Sequence, residues 1–199
     1  MKAAERRAAI LAVAKVLFAD RGYHGVSVDE IARRVGVSPA VLYRHFESKQ
    51  VLYETVLGEI AARRESYVEA ILAEPDDFAH VLRRMTRVYV NAVAEDPDYL
   101  RMELHSVLEG SSQARAFFEN RWRPFAEFIA HSLAEVGRQT GQRTPDARVA
   151  GLMFQGMVRE ALYEKCILES PQVKDIPLEA LTDRLVELFL RAVLPGGIA

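Results

Sequence analysis

The chain has 199 residues, half of them hydrophobic, a formal charge of −2 and one cysteine. That is enough for a small head and a larger core, or for one elongated helical body, and it excludes a disulfide framework or cysteine metal site. No run approaches 18 uninterrupted apolar residues, and charges run through the start MKAAERRAAILAVAKVLFADRG, so neither a membrane span nor a signal-peptide core is expected and the chain reads as soluble and cytoplasmic.

Charge is unevenly placed. Residues 1–50 hold nine Lys/Arg against five Asp/Glu, and residues 51–199 hold 17 against 23. A basic head on an acidic body suits a protein that meets phosphate at one end.

In chain order every segment predicts helix, with Gly and Pro mostly at joints. The first helix is expected over Ala4–Asp20, with Ile10, Val13, Ala14, Leu17 and Phe18 on one stripe, and it ends in RGYHG. Ser27 then caps a helix that starts near Val28, and Glu30, three residues on, completes a capping box. Ile31, Ala32 and Val35 form its apolar face. Gly36 stands where a left-handed residue ends a helix, and Ser38 with Pro39 reads as a cap and a first helical position. Two short helices joined this tightly are a helix–turn–helix.

On the second of these helices Leu42 and Phe46 share the core side, and Ala40, Val41, Tyr43 and Arg44 spread over the other. Tyr43 and His45 flank the outward arc with polar tips that can reach phosphate oxygens, and Ser48 and Lys49 open a further helix. Singly, each of these residues is ordinary surface or core filler. Their joint spacing behind a turn glycine is what points to DNA.

The run VSVDEIARRVGVSPAVLYRHFESKQVLYETV, with Ile10 to Ala14, Phe18, Gly22 and Tyr23 before it, resembles the N-terminal domain of TetR-type transcriptional regulators over roughly the first quarter of the chain. The resemblance implies phosphate contacts from Ser27, Tyr43, His45 and Lys49, and base-facing or base-bordering positions for Ser38, Pro39, Ala40, Val41 and Arg44. Pro39, Ala40 and Val41 offer no bidentate hydrogen bonds, which leaves Arg44, thymine methyls and DNA shape as readers.

Beyond the head, a connector helix is expected over Ser48–Ala73, then helices over Phe78–Ala94, Asp98–Leu108, Gln113–Gly137, Asp146–Leu168 and Leu178–Leu194. The predicted fold is all-α: a three-helix head in residues 1–50 and a helical ligand-binding and dimerisation domain in 51–199. The helix from Asp146 is apolar nearly all round, and the last helix carries Leu178, Leu181, Leu185, Leu188 and Ala192 as one seam with Val186, Phe189 and Val193 beside it. Such helices are buried on more than one side, against the chain's own body or against another subunit; Leu162, Cys166, Leu181, Leu185 and Leu188 are placed at a homodimer interface, a reading weighed above their closing a monomeric core. Dimerisation through a four-helix interface is also what the resemblance implies. The reading of Cys166 as a small buried hydrophobe is weighed above a redox role.

Met85, Tyr89, Met102, Trp122, Phe125, Phe154 and Met157, with His105 as polar company, are the candidate lining of a pocket for a hydrophobic or aromatic small molecule. Glu103, Glu160 and Glu164 also stand among apolar residues, although for each of them a solvated or salt-bridged position is weighed above a ligand role. No catalytic residue, metal ligand or cofactor is expected, because the chain has no metal pair at HxxxH spacing, no nucleophile motif and no phosphate-binding glycine loop. The reading is a dimeric repressor that binds double-stranded operator DNA and is released by its ligand. The alternative is a small-molecule-binding or interaction protein of the same fold without an operator-reading role.

Overall fold

The computed structural model describes residues 3–59, 77–109 and 112–194, and every regular element among them is a helix. Helix α1 is Ala3–Arg21, α2 is Val28–Val35 and α3 is Pro39–Tyr43. Helix α4 covers 49–59, followed by α5 (Phe78–Glu95), α6 (Asp98–Glu109), α7 (Ser112–Thr140), α8 (Ala147–Cys166) and α9 (Leu178–Val193). Each expected helix is present, with ends moved by a few residues where caps decide them. Of the expected connector, 60–73 lie outside the described residues.

The chain divides into two compact units, Met1–Arg63 with Pro97–Phe118, and Arg64–Asp96 with Glu119–Ala199. In the first, α6 returns from later in the sequence to pack along α1. Ile10, Ala14, Leu17 and Phe18 of α1 are fully buried, as the stripe predicts, and Leu11 is buried too while Val13 is only half-buried. Each large aliphatic or aromatic side chain so buried is worth about 1.5–3 kcal/mol. Leu42 and Phe46 join this core, with Leu52, Tyr53, Val56 and Leu57 of α4.

In the second unit α5, α8 and α9 pack on one another. Its centre is aromatic: Tyr89 lies 4.7 Å from Trp122, Phe125 lies 5.8 Å from Phe154, and Phe154 lies 4.9 Å from Phe189, centroid to centroid. The loop between α8 and α9 is gathered around Lys165, whose ammonium donates to the carbonyl oxygens of Val173, Lys174 and Ile176. Three carbonyl acceptors around one ammonium satisfy its donors without a carboxylate.

The last two helices correct part of the interface reading. Val186, Phe189, Leu190 and Val193 form the core side of α9, whereas Leu178, Leu181 and Leu185 are half-buried and Leu188 is exposed. On α8, Leu162 is only 1% exposed and sits with Ala150, Phe154 and Val158 in the chain's own core. The outward apolar residues of α8 are Val149, Leu152 and Met153. Heptad-like spacing leaves two faces open, and packing against α5 selected the one that carries Phe154.

Candidate DNA interface

The helix–turn–helix is built from local caps. The Ser27 hydroxyl accepts the Glu30 N–H at 3.2 Å, and the Ser38 hydroxyl accepts the Val41 N–H at 3.4 Å. Gly36 has φ of 78°, its N–H donates to the Arg33 carbonyl, and the Val37 N–H donates to the Ala32 carbonyl at 2.9 Å. That is a left-handed helix stop, and it fixes the angle between α2 and α3.

Only half of the expected capping box forms. The Glu30 carboxylate pairs with Arg21 at 2.5 Å and Arg34 at 3.4 Å. The hydrogen bond from Arg21 holds its pKa below the usual carboxylate range. A guanidinium is a stronger partner for a carboxylate than the backbone N–H of the cap.

Ser38, Pro39, Ala40 and Arg44 are exposed, Tyr43 is 50% exposed, and Val41 and His45 are half-buried. With Leu42 and Phe46 turned into the core, these residues form one outward arc at the end of the head. Ser27 is exposed at the start of α2. The arc therefore offers hydroxyls, an imidazole and one guanidinium around a small apolar centre, a surface able to contact phosphates and thymine methyls.

Lys49 stands differently. Its ammonium donates to the Val26 carbonyl at 2.6 Å and lies 4.3 Å from the centroid of the Tyr23 ring. Burial lowers its pKa, against the opposing pull of Glu109. Glu109, at the end of α6, accepts the N–H groups of Tyr23 and His24, each at 3.0 Å. Its charge and, above all, burial push the Tyr53 hydroxyl up to about 12.

Sequence reasoning had no signal for Glu109. It lies 86 residues from Tyr23, and a glutamate at a helix end is ordinarily solvated.

Of the candidate ligand residues, Met85, Tyr89, Trp122, Phe125 and Phe154 are brought together in the buried aromatic centre of the second unit, and Phe189 joins them without having been expected there. The Trp122 indole N–H is buried without a hydrogen-bond partner among the described residues. Met157 is half-buried on α8, whereas Met102 and His105 belong to the first unit. Cys166 is half-buried at the end of α8, and burial raises its thiol pKa.

A small helical head with a capped helix–turn–helix and an outward polar arc has the form of a DNA-binding module. Residues 10–56 match the family model described as bacterial regulatory proteins, tetR family, so the resemblance of the head to that family is carried by a match over those residues.

Among curated relatives, the transcriptional activator FasR of Mycolicibacterium smegmatis is 39% identical over 98 residues, which is 49% of this chain and 45% of that protein. The match thus spans less than half the length of that relative. The transcriptional regulator UidR of Escherichia coli K12 is 26% identical over 176 residues, 87% of this chain and 85% of its own. Among solved structures, the regulator FadR of Bacillus subtilis in complex with stearoyl-CoA superposes with a TM-score of 0.68 at 20% identity, over 96% of this chain and 99% of that one. At that identity the likeness concerns the fold.

Proposed function

We propose that the protein is a homodimeric, ligand-responsive repressor that binds double-stranded operator DNA through α3. The single observation that carries this reading is the outward arc of Ser38, Pro39, Ala40, Tyr43 and Arg44, held behind the Gly36 turn by two capped helices. Ser27, Tyr43 and His45 serve as phosphate anchors, while Arg44 reads base edges and Ala40 and Val41 meet thymine methyls. Little of this surface is bidentate, so DNA shape carries part of the specificity.

Dimerisation uses the outward apolar residues of α8 and α9. Val149 is 63% exposed, Leu152 70% and Leu188 58%. Three large aliphatic side chains at that exposure, on helices whose other faces are buried, favour a self-complementary contact around a two-fold axis. A dimer presents two copies of α3 to half-sites about 34–36 Å apart.

The effector site is the aromatic centre of the second unit. Its rings suit an apolar ligand body, and the Trp122 N–H, without a partner among the described residues, suits an acceptor such as a carbonyl oxygen. The acyl-CoA bound by the structurally similar FadR supports a thioester of an aliphatic acid as the class. Ligand displaces the heads only by as much as its affinities for the DNA-fitting and unfitting states differ. A cytoplasmic location follows from this role, and among the described residues no helix is long and apolar enough to cross a membrane.

The test is gel shift and footprinting with duplexes that the full-length protein selects from a random-sequence pool, repeated with octanoyl- and stearoyl-CoA. Salt-sensitive binding to a two-fold site, weakened by one of the thioesters, is expected. Absence of any selected duplex near micromolar protein would overturn the reading and leave the alternative of a binding protein that does not read an operator. Tighter DNA binding on adding thioester would overturn repression by release.

A further inference from the structure

The five residues from Gly22 to Val26, between α1 and α2, have little secondary structure to hold them, and the helix–turn–helix begins directly after them. Charged side chains from two later helices bracket this segment. From α6, the Glu109 carboxylate takes the Tyr23 N–H on one oxygen and the His24 N–H on the other. From α4, Lys49 donates to the Val26 carbonyl, with its ammonium over the Tyr23 ring.

Gly22 has φ of 70°, a left-handed backbone that favours glycine, and a Cβ there would lie 2.2 Å from the Glu109 carboxylate and 2.9 Å from His105 Nδ1, so a larger residue would push those side-chain ends from their places. Tyr23 is further held by Phe18 at 6.3 Å and Tyr53 at 5.2 Å.

We infer that Lys49 and Glu109 are positioning residues for DNA binding, which together set the direction in which α2 and α3 leave α1, and that Lys49 does not act as a phosphate contact. This rests on the regulator reading above. The ammonium has a backbone acceptor at 2.6 Å and an aromatic face against it, and moving to a phosphate would cost both while freeing the turn it holds. Glu109 contributes through geometry alone, since a carboxylate near the head repels DNA. The two residues hold opposite ends of one five-residue segment, so their effects are coupled rather than additive.

The signs of the expected changes separate this role from the obvious alternatives. Each phosphate neutralised steepens the dependence of log affinity on log salt by about 0.9. Full-length protein is titrated against its pool-selected duplex from about 50 to 200 mM salt. Lys49→Met is expected to weaken binding by about tenfold with the salt slope unchanged, on the order of one charge-assisted hydrogen bond. Glu109→Gln is expected to weaken it by a similar factor although it removes a negative charge. The double variant is expected to be little worse than either single one, and Lys49→Arg, which retains the donor and the ring contact, is expected to bind as the parent does.

Amide hydrogen exchange at Tyr23 and His24 provides a readout independent of DNA, and Glu109→Gln is expected to accelerate both. A slope shallower by about 0.9 in Lys49→Met would return that residue to the phosphates and overturn the inference, as would tighter binding by Glu109→Gln. Unchanged exchange at the two amides would overturn the bracket itself. If the parent protein selects no duplex, the regulator reading falls and the positioning role with it; a failure of the inference alone appears as intact parent binding with the shallower slope.

Discussion

Arg87 on α5 grips Asp183 on α9 with two parallel hydrogen bonds, Nε to Oδ1 at 3.0 Å and a terminal guanidinium nitrogen to Oδ2 at 2.6 Å. Glu179, one turn earlier on α9, adds a contact at 3.2 Å. This forked pair joins the two helices that flank the aromatic centre. Both partners are over one-third exposed, so solvent screening limits the pair to about 1 kcal/mol. Asp183→Ala is expected to lower the melting temperature by about 2–4 °C in a scanning calorimeter, with DNA affinity at low temperature unchanged. Arg87→Lys, which cannot form the fork, is expected to lose most of the same increment.

The two positive-φ glycines of the head differ in what surrounds them. Among the described residues a Cβ at Gly36 meets nothing within 4 Å, so Gly36→Ala costs only the left-handed backbone, about 1 kcal/mol. Gly22→Ala adds a collision with the Glu109 carboxylate and is expected to destabilise more and to weaken DNA binding more. Chemical denaturation of the two variants side by side checks the order; equal losses would mean that α6 yields freely at this contact.

Tyr53 gives the head a pH signature. Burial is the main reason that its hydroxyl is raised from about 10 to about 12, with the Glu109 charge second. A raised folded-state value means that this group's stabilising contribution is intact below pH 10 and is lost as pH rises through 12, where the unfolded chain has already released the proton. Tyr53→Phe is expected to flatten the loss of stability across that window and to remove one late-titrating phenol from the ultraviolet absorbance titration.

On the reading arc, Arg44→Ala is expected to weaken binding to the selected duplex by about 1–3 kcal/mol and to relax discrimination at one base pair of each half-site. Tyr43→Phe, lacking only the hydroxyl, is expected to weaken selected and scrambled duplexes alike. Competition titrations with single-base-pair variants of the duplex distinguish the two patterns.

Leu152→Glu and Leu188→Glu place charges on outward apolar positions without disturbing the core, since the parent side chains are 70% and 58% exposed. Both are expected to yield folded monomers by light scattering, with helical content retained and operator binding lost. Leu162→Glu, by contrast, puts a carboxylate into the core beside Phe154 and Val158 and is expected to unfold the second unit. A dimeric Leu152→Glu, Leu188→Glu double variant would move the interface elsewhere.

The residues whose effects are local were legible in the chain. Ser27, Gly36, Ser38 and Pro39 act on backbone groups within four positions of themselves, and the Leu42 and Phe46 pair follows from helical period alone, so caps, turn and recognition surface could be read without a structure. The choice between faces of α8 and α9 was not legible, because Leu162 and Leu152 are equally apolar and only packing against other helices makes one core and the other surface. Grouping Met102 and His105 with Trp122 and Phe125 had the same weakness, since composition does not show which compact unit a helix joins.

By itself the sequence determined an all-helical chain and a head shaped for DNA, because those features rest on short-range hydrogen bonding and periodicity. Tertiary structure alone decided what Lys49 and Glu109 do. A charge 86 residues from the turn gains its role only when α6 folds back along α1, and a lysine that local reading assigns to solvent and phosphate is drawn inward once Tyr23 and the Val26 carbonyl stand beside it.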